Sequence, residues 1–153
     1  MTTRCYPIAA LILALTLPTF AQEKKIGRSA LPPVVEKAVQ TETKDATVKG
    51  FAEEREHGKI FYEVETVTNG HTRDILFTSD GKIAEIEEEE AFDSLPTNVQ
   101  TGLRKKASGA TIEKVESLSK KGQLVAYEGT IRRNGKSAEI QVGPQGQNLA
   151  HEE

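Results

Sequence analysis

Five carboxylates crowd one short stretch, Glu85 and then Glu87, Glu88, Glu89 and Glu90, and this is the densest charge chemistry in the chain. Such a cluster could hold calcium or dock a basic partner. Calcium loops place their carboxylates at alternating positions around a glycine turn, and this run has neither that spacing nor that turn. It is therefore expected as a solvated strand end, whose charges discourage edge-to-edge pairing. The alternative is a metal or small-ligand sensor built on this acidic segment. His57 and His71 fall in expected turns and His151 lies near the last residue, so no close histidine pair offers zinc-ligand spacing. No G-x-S-x-G elbow is present, and the glycines are scattered singly rather than gathered in a phosphate-binding loop. These features predict a non-enzymatic protein with no cofactor and no metal.

The first residues predict a secretory leader. One basic residue, Arg4, precedes an apolar run from Ile8 to Leu17, and Thr19-Phe20-Ala21 supplies a small-x-small cleavage signal. Cleavage is expected after Ala21. The run is too short for a membrane span, which takes about 20 apolar residues. Cys5 precedes that run, so neither lipid anchoring nor a disulfide is expected of the exported part. The chain carries 20 basic and 23 acidic residues, and losing Arg4 leaves it more acidic still. Nucleic acid is an unsuitable partner, because phosphate binding needs a concentrated basic surface. The expected location is periplasmic or secreted, with no membrane span after cleavage.

The elements that position these groups read as a duplication. Leu31-Pro32 corresponds to Leu95-Pro96, Ala46-Thr47-Val48 to Ala110-Thr111-Ile112, Asn69-Gly70 to Asn134-Gly135, and Gly81 to Gly146. Each expected copy opens with a helix. Val35, Ala38 and Val39 face inward in the first, and Leu95, Val99, Leu103 and Ala107 in the second, with Ser94 as a helix cap. Strands follow at about Thr47–Arg55, on the two arms of the Asn69-Gly70 turn, and at about Lys82–Glu88. The second copy should repeat them, with a short last strand near Gln147–His151. The expected fold class is α+β: two tandem helix-then-antiparallel-strands repeats that form one antiparallel sheet with two helices on one face. The expected divisions are a leader at 1–21, a flexible segment at 22–30, and repeats at 31–90 and 91–153.

The Asn-Gly turns fix the faces. A two-residue turn at Asn69-Gly70 places Tyr62 opposite Phe77 and Val64 opposite Ile75, an apolar set. It sends Phe61, Glu63, Glu65 and Asp74 to the other side. A turn at Asn134-Gly135 sets Tyr127 opposite Val142 and Gly129 opposite Ile140, with Glu128, Arg132 and Glu139 on the polar side. These polar-side residues are the candidate partner-binding surface on an open, slightly concave sheet face. Phe92, between the acidic run and the second helix, is a candidate linker contact, or else a hydrophobic staple against Val99.

The tyrosine-led strand Tyr62-Glu63-Val64-Glu65, the Asn69-Gly70 turn, the strand from Ile75 and the Asp80-Gly81-Lys82 turn resemble the PepSY-like family. The tandem arrangement looks like the members grouped with the β-lactamase-inhibitor-protein fold. The resemblance implies an exported domain that binds a protein or peptide in the cell envelope, with an inhibitor or regulatory role toward proteases. It implies no catalytic residues.

Overall fold

The computed structural model describes residues 22–56 and 58–153. The predicted leader and His57 lie outside the described residues. Proline opens both helices. Pro33 begins α1 (Pro33–Glu42) directly after Pro32, and Pro96 directly precedes α2 (Thr97–Ala107). The ring fixes φ at a helical value where an N–H has no partner to lose. Ser94 does not cap α2. It closes a 3-10 turn at Phe92–Ser94, with its Oγ donating to the Ala91 carbonyl at 2.7 Å. α2 stops where Ser108 turns left-handed at φ 49°, followed by Gly109 at φ 82°.

The strands are β1 (Gln22–Lys25), β2 (Thr47–Glu56), β3 (Lys59–Thr68), β4 (His71–Thr78), β5 (Ile83–Glu89), β6 (Thr111–Lys120), β7 (Gln123–Arg133) and β8 (Lys136–Val142). They form one eight-stranded antiparallel sheet in the order of the sequence. Both Asn-Gly turns have positive φ at both central residues, 54° and 88° at Asn69-Gly70 and 51° and 77° at Asn134-Gly135. That backbone matches the right-handed twist of the strands it joins. The registers around them follow from it: Tyr62 pairs with Phe77, Val64 with Ile75, Tyr127 with Val142 and Gly129 with Ile140.

The fold class differs from the expected pair of tandem helix-and-strand repeats. The molecule is a single, predominantly β meander with two helices laid on it. β5 is hydrogen-bonded to β4 along one edge and to β6 along the other, so the ladder runs through the position where one unit should have ended. An unpaired edge at that point would leave a row of backbone donors and acceptors without partners, and pairing removes it. The symmetry fails at both extremes as well. β1 lies in the stretch 22–30 and pairs with β2, and no strand forms near Gln147–His151.

Both helices lie on one face. Val35 and Val39 of α1 pack with Leu31, Val64, Ile75 and Phe77, while Val99 and Leu103 of α2 pack with Leu95, Val115 and Val142. Tyr62 joins the first cluster and Tyr127 the second. The opposite face receives neither helix.

Candidate functional site

The open face carries most of the chain's acid. Side chains on a strand alternate between faces, and the pairing carries that alternation from strand to strand. Glu54 of β2 lies beside Phe61 of β3. Glu63 pairs with Leu76 of β4, Leu76 with Glu85 of β5, and Glu85 with Lys120 of β6. One rung along, Glu65 pairs with Asp74, Asp74 with Glu87, and Glu87 with Leu118. Glu116 and Glu128 continue the row onto β6 and β7.

The floor between these groups is apolar and dry. Ala52 and Ala126 are 0% exposed and Leu118 is 2% exposed, although neither α1 nor α2 covers them. The stems of the surrounding long side chains must wall that floor. At its centre is a cavity of about 160 Å³ lined by Glu54, Glu63, Asp74, Leu76, Glu85 and Glu87.

Crowding and burial together change the ionisation of these groups. Burial, reinforced by Glu54 and Asp74, pushes the Glu63 carboxyl up to about 7. Burial, reinforced by Glu128 and Glu116, pushes Glu87 up to about 8. Glu54, Asp74 and Glu128 are also raised, each mainly by burial. Asp74 is held back by the Thr66 amide, which donates to Oδ1 at 3.3 Å. Gln141 does the same for Glu128, donating from Nε2 to Oε2 at 2.7 Å, while the Glu153 amide donates to Gln141 Oε1 at 2.8 Å.

Among the described residues the ion pairs of the trough come from β6, while Lys25 of β1, opposite Ala52, and Lys59 of β3, opposite Glu56, also lie on this face. β6 supplies Lys114, whose Nζ lies 2.5 Å from Glu116 Oε1, and Lys120, whose Nζ lies 3.4 Å from Glu85 Oε2. Glu54, Glu63 and Glu87 make no ion pair or side-chain hydrogen bond among the described residues. Two carboxylate triads have oxygens mutually within 4.8 Å: Glu23, Glu63 and Glu65, and Asp74, Glu87 and Glu116.

The structure thus gathers Glu63, Glu65, Asp74 and Glu128 in one trough. Phe61 stands half-buried at its edge beside Glu54. Glu139, exposed and opposite Thr130, lies toward the rim. Arg132 is engaged elsewhere, its Nε donating to Glu113 Oε1 at 2.5 Å. Phe92 is on the helix side, packed against the second core cluster with the Arg104 guanidinium 4.7 Å from its ring centre.

Sequence reasoning did not place Glu54 and Glu116 in a site, and weighed Glu85 and Glu87 only as members of the acidic run. The acidic run was expected as a solvated strand end. Instead its alternate members Glu85 and Glu87 point into the trough, while Ile86 packs on the first core cluster. The period-two pattern Glu85, Glu87, Glu89 around Ile86 was the available signal. Glu89 itself is occupied at the trough end, where Oε2 accepts the Thr72 amide at 2.9 Å.

No protein-family model matches this chain, and comparison with curated proteins finds no match. Solved structures do resemble it. A Bacteroides eggerthii protein described as periplasmic gives a TM-score of 0.60 at 18% identity, covering 76% of this chain and 84% of its own. A BLIP-like protein from Bacteroides fragilis gives 0.56 at 20% identity, covering 80% and 86%. A DUF2874 family protein from Bacteroides ovatus gives 0.60 at 16% identity, covering 77% and 84%. At these identities the likeness establishes the fold, which this chain shares with the BLIP-like protein.

Proposed function

We propose that this chain is an exported, non-catalytic binding module of the cell envelope, periplasmic or secreted, which docks a protein or peptide on the open face of its sheet. One observation carries the reading. Among the described residues Glu54, Glu63 and Glu87 are partly desolvated yet unpaired, on a face that neither α1 nor α2 covers. Keeping such a carboxyl ionised without a counter-charge is costly, so it tends to hold its proton, and a docking partner of opposite charge favours the ionised form. Two further facts support the setting: the leader pattern at residues 1–21, and fold neighbours described as periplasmic. The inhibitor or regulatory role comes from the BLIP-like neighbour and from the PepSY-like resemblance of the Tyr62–Lys82 segment.

The test is capture from an envelope extract of the source cells, with retained proteins identified. The native chain should retain a defined protein. The triple variant Glu54→Gln, Glu63→Gln, Glu87→Gln should lose it. Equal retention by both, or retention by neither, overturns the reading.

A second reading, a metal or small-ligand sensor, is favoured by the closely spaced Asp74, Glu87 and Glu116 oxygens. An ammonium already competes for that triad, since Lys114 sits on Glu116. Calcium would have to displace it.

A further inference from the structure

We infer that Asn134-Gly135 is a self-modifying site. The Gly135 nitrogen closes on the Asn134 side chain, expels ammonia and converts the turn to an isoaspartyl linkage, while Asn69-Gly70 is held back from the same reaction. Both turns have one sequence and left-handed φ at both residues, so their surroundings must set the difference.

The chemistry needs only water. A base removes the Gly135 amide proton, and the nitrogen attacks Asn134 Cγ. The new C–N bond forms as the bond from Cγ to the side-chain nitrogen breaks, and that nitrogen leaves as ammonia with the proton. Water then opens the five-membered succinimide. Attack at Cγ gives an ordinary aspartate. Attack at the main-chain carbonyl gives isoaspartate, with the backbone routed through Cβ and Cγ. Glycine suits the step because no Cβ shields its nitrogen. Among the described residues the Asn134 side chain and the Gly135 amide make no hydrogen bond, and a Cβ on Gly135 would meet nothing within 4 Å. Asn69 and Gly70 are equally free.

The first difference is support. Ring closure rotates the bond between Cα and the carbonyl carbon of the asparagine, so the turn must open to react. Asn69-Gly70 joins β3 to β4, and each has a second neighbour on its outer side, β2 or β5. Asn134-Gly135 joins β7 to β8, and among the described residues β8 pairs with β7 alone. Every residue from Arg132 to Glu139 is exposed. Local opening costs least where backbone bonds face solvent and packing is sparse.

The second difference is charge. Negative charge develops on the attacking nitrogen and on the Cγ oxygen, and cations placed beside it stabilise it. Asn134 lines a surface hollow with Arg132 and Arg133, and Lys136 follows the turn. Glu113 answers Arg132 there in an ion pair. Asn69 lines a different hollow with Glu42, Asp45, Glu88, Glu89 and Glu90. His71 and Arg73 share it, but Arg73 is itself paired with Glu88. Those acids oppose ionisation of the Gly70 amide.

The product acts on β8. A two-residue turn with both residues left-handed sets the pairing of Arg133 with Lys136 and of Arg132 with Ser137. Isoaspartate lengthens the backbone inside that turn, so the tip of β8 comes away.

The experiment incubates the purified protein at mildly alkaline pH. Digestion after glutamate then releases residues 129–139 and 66–85, and isoaspartate-selective methylation with mass spectrometry follows each. The 129–139 peptide should convert at least about fivefold faster, the factor that one unit charge at about 4 Å contributes across water. In urea the gap should narrow, because the acids around Asn69 and the support of β2 and β5 exist only in the fold. Lys136→Glu should slow conversion at Asn134 and leave Asn69 unchanged. The isoaspartyl fraction should lose amide-exchange protection over 136–139. Asn134→Asp, which adds the charge without lengthening the backbone, should keep it.

Equal conversion of the two peptides, faster conversion at Asn69, or no conversion at either overturns the proposal. So does a gap undiminished in urea, an unchanged rate in Lys136→Glu, or full protection of β8 in the isoaspartyl fraction.

Discussion

Glu87 and Glu63 make the fold depend on pH in an unusual direction. Their carboxyls rise from the ordinary 4.5 to about 8 and about 7 on folding. Between those limits the native state holds more protons than the unfolded state, so stability falls as pH rises. The native proton is an advantage that is complete near pH 4.5 and gone above about pH 8. The melting temperature should therefore rise as the buffer is taken from pH 8 toward pH 5, opposite to the trend of a protein built on paired carboxylates. Glu87→Gln should stabilise the chain at pH 8 by about 1–2 kcal/mol, after allowing for solvent screening, and have little effect near pH 5. A flat pH profile in thermal melts would contradict the assigned burial. Which acids matter was only half legible. Glu63, Glu65, Asp74 and Glu128 follow from two turns and a count by twos. Glu54 and Glu116 depend on irregularities at Val48/Gly50 and Ile112/Lys114, each of which resets the parity of its strand with no short-range signal, whereas Glu85 was marked only by the alternation around Ile86.

Among the elements, α2 is the most closely clamped. The turn after β8 crosses it so tightly that a Cβ on Gly102 would strike the Gly146 carbonyl, and one on Gly146 would strike the Asn98 carbonyl. Asn98 fastens the contact by donating from Nδ2 to the Gln145 carbonyl at 2.8 Å. On an exposed helix Gly→Ala is normally stabilising by about 1 kcal/mol. Here Gly102→Ala should instead destabilise by about 1–3 kcal/mol, because the helix and the turn must separate; chemical denaturation measures it, and a gain would show that the turn yields freely. The helices and hairpins were readable from prolines, apolar spacing and Asn-Gly pairs. β1 was not. Its sequence Gln22-Glu23-Lys24-Lys25 has no apolar residue, and it is a strand because β2 offers an edge to pair with. The Gly146 turn was expected to lead into a strand, but the chain turns there to grip α2.

At the scale of the molecule, two hydrophobic clusters share one ladder. Self-similar motifs suggested two units joined in one sheet, whereas the pairing of β5 with β6 runs inside a continuous eight-strand meander. That pairing should make unfolding a single cooperative event. From Gln22 onward the chain has two tyrosines, Tyr62 in one cluster and Tyr127 in the other, and no tryptophan. The single-tyrosine variants Tyr62→Phe and Tyr127→Phe allow each cluster to be watched separately by fluorescence. Each variant's fluorescence melt should coincide with its own melt by circular dichroism. A fluorescence transition displaced from the backbone transition in either variant would mean that its cluster unfolds on its own.

A surface of predominantly one sign also acts beyond contact range. The trough acids Glu54, Glu63, Glu65, Asp74, Glu85, Glu87, Glu116 and Glu128 share one side of the sheet and outnumber Lys114 and Lys120 there, so that side carries a net negative field, strongest once Glu63 and Glu87 ionise. In physiological salt that field extends about 8 Å before mobile ions quench it. A cationic visitor is therefore oriented and drawn in before any side chains touch, so added salt should lengthen the search far more than it shortens the stay.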